Sequence, residues 1–156
     1  MRYREATPIQ RLLRWSAATA PMSWLYARAL HHLDRLSYRR TRGRHTLSSW
    51  LSGLPVVMLT TTGAKTGQPR TSPVIAVPDG DYLVVIASNW GRRQHTAWYH
   101  NLRAHPEATV TMGGVSRRVQ AHEATGQERD RLWQHDLEVY PGRTPYDRRA
   151  AHRRIP

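Results

Sequence analysis

Between Leu59 and Pro73 the chain reads Leu59-Thr60-Thr61-Thr62-Gly63-Ala64-Lys65-Thr66-Gly67-Gln68-Pro69-Arg70-Thr71-Ser72-Pro73, without an acidic residue. Glycines, hydroxyls, a lysine and an arginine gathered this closely can offer backbone N–H groups and cations to one anion. Lys65 is the only lysine; the other 23 of the 24 basic side chains are arginine. On composition alone, a Gly-rich polar connection between two strands is most often a plain hairpin loop. A P-loop is excluded, because its lysine follows a glycine and here Ala64 stands in that place. The stretch also leads into a strand pattern, so no helix dipole would face a phosphate.

A second polar loop, Ser88-Asn89-Trp90-Gly91-Arg92-Arg93-Gln94, follows an apolar run. The remaining reactive types are dispersed. His31 and His32 are adjacent and share no helix face. His95, His100, His105, His122 and His135 lack ligand spacing with acids, and no H-E-x-x-H occurs, so no metal site is expected. Glu123, Glu128 and Asp130 do not form an acid–base pair, and Glu128 is assigned to a helix cap. The absence of cysteine excludes disulfides and thiol chemistry and fits a cytoplasmic protein.

The elements that must hold these loops follow from periodicity. Residues 8–20 predict a helix with Thr7 as cap and Pro8 in its first turn; Ile9, Leu12, Leu13, Ser16, Ala17 and Ala20 share one face. A second helix is expected over 22–37, then a basic linker over 38–45 and a short helical turn over 46–51. Short strands follow: Val56–Leu59, Thr71–Val77 and Tyr82–Ala87, the last a continuous apolar run expected to be buried on both faces. His95–Ala104 predicts a helix with Trp98, Leu102 and Tyr99 inward. Ala108–Met112 and Val115–Glu123 are two more strands joined at Gly113-Gly114. Thr125-Gly126-Gln127-Glu128 reads as a capping box opening a helix to about Tyr140, stopped by Pro141-Gly142. The stretch from Arg143 to Pro156 reads as a polar, basic tail. Five closely spaced strands interrupted by helices predict an α+β fold, mostly β, built as an antiparallel barrel with helices outside it. Two regions are expected: 1–45, with the basic amphipathic helices and linker, and 46–156, the barrel.

Net charge is +13, unevenly spread. Residues 1–78 hold twelve basic side chains against Glu5 and Asp34, while 79–156 hold twelve against nine acids. A basic half implies an anionic partner: a polyanionic small molecule, an anionic membrane or nucleic acid. No nucleic-acid fold signature is present. Arg11, Arg14 and Arg28 interrupt the early apolar residues, so neither a signal peptide nor a spanning helix is expected. The two N-terminal helices, with Trp15, Trp24 and Tyr26, suit peripheral contact with the inner face of a membrane.

In this order, the motifs resemble the deazaflavin-dependent nitroreductase family of small split β-barrel proteins, flavin-reductase and FMN-binding-like in architecture. The 59–73 stretch is similar to the family's T-x-G-R-K-[ST]-G-x-x-R-x-x-P. Ala87-Ser88-Asn89-Trp90-Gly91 with Trp98-Tyr99-His100-Asn101-Leu102 is similar to its A-S-x-x-G…W-Y-x-N-L. Tyr140-Pro141-Gly142, Tyr146 and Arg154-Ile155-Pro156 resemble its tail. The resemblance covers about residues 55–156. It implies coenzyme F-420, an 8-hydroxy-5-deazaflavin carrying a phosphate and glutamates, with FMN as the alternative ligand. It implies hydride transfer to a small hydrophobic, electron-poor acceptor such as a quinone or nitro compound. Cofactor-binding positions would be Thr62, Gly63, Lys65, Thr66, Gly67, Arg70, Thr71, Pro73, Ala87, Ser88, Asn89, Gly91, Trp98 and Tyr99. Lys65, Arg70 and the N–H groups around Gly63–Gly67 would meet the phosphate; Arg39, Arg40, Arg42 or Arg44 would meet the glutamates. Ser88 and Tyr146 are the catalytic candidates: Ser88 would bind a substrate oxygen or tune the ring, and Tyr146, Ser88 or solvent would supply the proton. Three departures stand out. Ala64 replaces the family's arginine. Arg143 replaces a pocket tyrosine and would favour a more polar acceptor. Relatives usually continue beyond the position of Pro156 into a further strand, whose lack would leave an open sheet edge. Two other readings remain: a non-catalytic deazaflavin- or FMN-binding barrel, and a basic protein bound to nucleic acid or membrane surface.

Overall fold

A computed structural model describes Thr7, Pro8, Gln10, Leu12, Trp15, Ser16, Thr19 and residues 53–156. The expected second helix, basic linker and 46–51 turn lie outside these residues. The expected cap at the first helix forms. The Gln10 N–H donates to Thr7 Oγ1 at 3.3 Å, and the Thr7 N–H donates back to Gln10 Oε1 at 3.1 Å. This reciprocal pairing satisfies two donors that a helix start leaves open.

Five antiparallel strands form one curled sheet: β1 (Val56–Thr62), β2 (Pro69–Asp79), β3 (Tyr82–Val85), β4 (Glu107–Met112) and β5 (Val115–Gln120). Their order is β3-β2-β1-β4-β5, so β1 sits at the centre. The first loop joins β1 to β2, with Thr62 opposite Pro69 at its base. Between β3 and β4 come a 3-10 turn (Asn89–Gly91) and helix α1 (Ala97–Ala104); after β5 come α2 (Gly126–Val139) and α3 (Arg143–Arg149). The fold is the expected α+β split barrel in its half-barrel form. At Gly113 and Gly114 both φ angles are positive, +57° and +84°, the backbone that a two-residue hairpin between twisted strands requires.

The two-residue period of the strands divides the core in two. Val57, Leu59, Val74, Ala76 and Ala108 form one cluster, closed by Trp98 and Leu102 of α1. Leu54, Val77 and Val84 form the other, closed by Val139, Tyr140 and Tyr146 from the C-terminal helices. Trp98 and Leu102 are one helical turn apart, so both reach the same face.

Three expectations are corrected. β3 is not buried on both faces along its whole length: Tyr82 is 66 % and Leu83 37 % exposed, because β3 is the terminal strand and the core reaches only its second half, where Val84 packs into one cluster and Val85 against the other. The capping box does not form. Thr125 makes no side-chain cap bond, and the Glu128 carboxylate instead meets His122 Nε2 at 3.2 Å. The 143–156 stretch is not a polar tail, since it holds α3 and buries Tyr146, Ala150 and Ile155.

Candidate active site

The β1–β2 loop is built on its own backbone. The Gly63 N–H donates to Gln68 O, while the Thr66 and Gly67 N–H groups both donate to Gly63 O. The Gln68 N–H donates to Thr66 Oγ1. The Ala64 N–H donates to Asn101 Oδ1 at 3.0 Å, and Asn101 Nδ2 donates to Thr61 Oγ1 at 2.9 Å. Asn101 is buried on α1, so one amide rivets the loop to the helix. Most of the expected free N–H donors around Gly63–Gly67 are thereby consumed. Residues 64–70 are exposed, and Lys65 and Arg70 make no ion pair among the described residues. What the loop offers an anion is therefore chiefly these two cations, with no carboxylate nearby in sequence. At the base of the loop, Thr60 Oγ1 and Thr71 Oγ1 are hydrogen-bonded at 2.9 Å.

The second loop is strained. Asn89 and Trp90 have φ of +47° and +59°, a region that residues with a Cβ, and bulky ones above all, seldom occupy. Gly91 follows at +76°, and a Cβ there would lie 2.8 Å from Tyr146 O and 2.9 Å from Arg149 Cβ. Such strain costs about 1–3 kcal/mol per residue and persists only where the surroundings enforce it. Here the enforcer is Arg153, whose Nη2 donates to Ser88 O at 2.9 Å and whose Nε donates to Arg92 O at 3.0 Å. Its Nη1 lies 3.1 Å from His95 Nδ1, so that nitrogen accepts and the ring is neutral there. Burial, then the neighbouring Arg153 charge, hold the His95 pKa below its ordinary value. The His95 ring packs 4.8 Å from Tyr99, whose hydroxyl donates to Glu123 Oε2. Helix α1 thus touches both loops, the first through Asn101 and the second through Tyr99 and His95.

Beneath Ser88 lies a sealed polar cluster. Arg143 Nη1 donates to Ser88 Oγ at 3.0 Å, and Arg143 Nε donates to Asp136 Oδ2 at 2.9 Å. Ser88, Asp136 and Arg143 are 4 %, 1 % and 5 % exposed. Burial works against the Arg143 charge, but the Asp136 carboxylate more than restores it, so its pKa stands above the ordinary value and the guanidinium stays charged. It also lies 5.3 Å from the centre of the Tyr140 ring. Tyr140 and Tyr146 join hydroxyl to hydroxyl at 2.8 Å, and burial raises both phenol pKa values. Tyr146 is 1 % exposed and packs against Trp90 at 5.7 Å.

Residues 31–156 match the sequence profile of the F420H(2)-dependent quinone reductase family. The chain belongs to this family. Among relatives of this F420H(2)-dependent quinone reductase family, the F420H(2)-dependent quinone reductase Rv1261c of Mycobacterium tuberculosis is 40 % identical over 103 residues. That match spans 62 % of this chain and 66 % of the relative, just under two thirds of its length. A solved F420-H2 dependent reductase, FDR-A, aligns with a TM-score of 0.56 at 34 % identity, over 61 % of this chain and 84 % of its own. A second solved chain, described as a domain-swapped dimer, aligns at a TM-score of 0.63 and 31 % identity, over 88 % of this chain and 96 % of its own.

Of the expected site residues, Thr62, Gly63, Lys65, Thr66, Gly67, Arg70, Thr71 and Pro73 lie on the β1–β2 loop and its flanking strand ends. Ala87, Ser88, Asn89 and Gly91 lie on the strained turn, with Trp98 and Tyr99 on α1. Ser88 and Tyr146 do not touch directly among the described contacts; Arg143 and Tyr140 lie between them. Asp136, Arg153 and the rivet Asn101 were not among the expected site residues. Asp136 had a visible signal, a carboxylate on the same helical stripe as Leu132 and Tyr140. Arg153 had none, being one of many arginines. Arg143, expected to favour a more polar acceptor, is paired with Asp136. Among the described residues no group of three potential metal ligands occurs, and no helix is long and apolar enough to cross a membrane.

Proposed function

We propose that this chain is an oxidoreductase that binds reduced coenzyme F-420 and passes a hydride to a quinone, with Lys65 and Arg70 on the cofactor phosphate and Ser88 at the reacting end. The observation that carries this reading is the coupling of two unlike loops by α1, within the family to which the chain belongs. One loop is exposed, cationic and free of acid; the other is strained and holds a buried serine. The donor set fits a phosphate-bearing anion, since Lys65 and Arg70 have no ion-pair partner among the described residues to surrender.

The bound cofactor supplies a hydride, and a quinone that takes it needs one proton to become a quinol. The chain's part is to hold and orient both molecules. Gly63, Thr66, Gly67, Thr62 and Thr71 shape the phosphate loop, and Pro73 lies on the β2 strand that follows. Ala87, Asn89, Gly91, Trp98 and Tyr99 border the reacting end. Tyr146 serves as wall rather than donor, because its phenol is sealed from solvent and holds its proton tightly. Solvent supplies the proton, while Ser88 binds the acceptor oxygen. Titration with F-420 and, in parallel, FMN tests the reading: F-420 binds and its reduced form is oxidised by menadione, whereas FMN does not bind. Absence of F-420 binding at low salt would sink it.

A second element of the reading is peripheral contact with the inner face of a membrane by a cytoplasmic protein. It is favoured by Leu12 and Trp15, 63 % and 65 % exposed on the first helix. Sedimentation with anionic vesicles at low salt supports it, and failure to pellet removes it.

A further inference from the structure

The Ser88 side chain is held from one side only. Arg143 carries donors and no acceptor, so in the 3.0 Å contact Ser88 Oγ must accept. The serine's own proton finds no acceptor among the described residues, although the side chain is almost wholly buried. A buried hydroxyl without a target for its proton is unusual. Arg143 in turn cannot swing, because Asp136 Oδ2 takes its Nε–H and Tyr140 stacks beside it. Asp136 keeps one buried oxygen, Oδ1, without a hydrogen bond among the described residues. It tolerates that deficit while holding the arginine through the other oxygen.

We propose that Asp136 and Arg143 are positioning residues that fix the direction in which the Ser88 hydroxyl donates. With one of its two lone pairs taken by Arg143, the hydroxyl turns its proton away from the guanidinium, free for an oxygen of the acceptor or of the deazaflavin ring. The cationic neighbour also draws electron density from the hydroxyl, which strengthens it as a donor. This inference rests on the hydride-transfer reading above and adds to it two residues that touch neither cofactor nor acceptor.

The test uses the full chain, reduced F-420 and menadione, with Ser88→Ala, Arg143→Lys, Asp136→Asn and the Ser88→Ala/Arg143→Lys double variant. Ser88→Ala lowers kcat by roughly 100- to 1,000-fold, the scale of losing one donor aimed at developing charge. Arg143→Lys keeps a charge beside Asp136 but loses the planar fork, and it lowers kcat by about 10-fold or more with little change in F-420 affinity. The double variant is no slower than Ser88→Ala alone, because both changes act through one hydroxyl. Without cofactor, nitrogen-15 spectra show an exchange-protected Arg143 Nε–H signal that Asp136→Asn abolishes and Ser88→Ala retains. Additive losses in kcat, an undiminished kcat in Ser88→Ala, or an unprotected Nε–H each overturn the inference while leaving hydride transfer standing. Failure of the wild-type chain to bind F-420 overturns the functional reading and this inference together.

Discussion

The β1–β2 loop and the pocket beneath Ser88 handle charge in opposite ways. In the loop, Lys65 and Arg70 stand in water without an ion pair among the described residues, on a backbone that has satisfied most of its own N–H groups. In the pocket, one cation and one anion are sealed together, and the Arg143–Asp136 contact is spent entirely inside the protein. Exposed cations attract and hold an anion, with a strength that salt reduces. A buried pair gives an incoming ligand little attraction, yet its geometry cannot drift, because separating the partners would strand a charge in a dry interior. On the proposed reading, affinity and orientation fall to different regions, and α1 makes contact with both loops.

The largest effect that would break this contrast is in the pocket. Arg143→Ala leaves Asp136 buried without its partner and is expected to cost about 3–5 kcal/mol in urea unfolding. Lys65→Ala should move the same measurement by no more than about 0.5 kcal/mol. Equal losses from the two variants would erase the distinction. The next effect lies in the loop and concerns binding rather than folding. Lys65→Ala and Arg70→Ala each remove a charge-assisted contact of about 1.5–3 kcal/mol, so F-420 affinity falls by roughly 10-fold or more. The salt dependence of binding flattens in the same variants. Asn101→Ala sharpens the role of α1: it removes the acceptor of the Ala64 N–H and the amide donor to Thr61 Oγ1, two bonds of about 0.5–1.5 kcal/mol each. It should weaken F-420 binding too, although residue 101 carries no charge.

The smallest effect depends on pH. Folding lowers the His95 pKa, so the contribution of the neutral ring is complete above its ordinary value near 6.5 and is lost as pH falls through the folded-state value. Acidification should therefore loosen the Ser88–His95 turn, read as faster amide exchange at Gly91 and Arg92. The β1–β2 loop, which contains no histidine, should show no such change.

The parts of the fold that were legible in sequence are those decided locally. The apolar run Val56–Leu59, the strand pattern of Thr71–Val77, the Gly113-Gly114 turn and the Thr7 cap each depend on a few adjacent residues, and each forms. The Thr125–Glu128 capping box is equally local but loses to a tertiary competitor, since His122 offers Glu128 another partner. The tail was misread because hydropathy scores Arg143 and Arg153 as surface residues. A guanidinium leaves water only when specific acceptors await it, and these come from elsewhere in the chain: Asp136 for the buried Arg143, and the carbonyls of Ser88 and Arg92 for the half-buried Arg153. For the same reason the two candidate loops were visible as compositions, while the polar cluster beneath Ser88 was not.

The strand order also carries a timetable. β1 and β2 close across a short loop, with Thr62 facing Pro69, whereas β1 must wait for the whole of 63–106 before Met58 can meet Thr111. Arg143 reaches Ser88 across 55 residues. Pairings between distant positions form late in assembly, because the chain gives up more freedom before they reward it. A growing polypeptide therefore completes the cation-bearing hairpin while the serine still lacks its arginine. Pulse-labelled exchange should find the Thr60 and Thr71 amides protected well before those of Ser88 and Arg143.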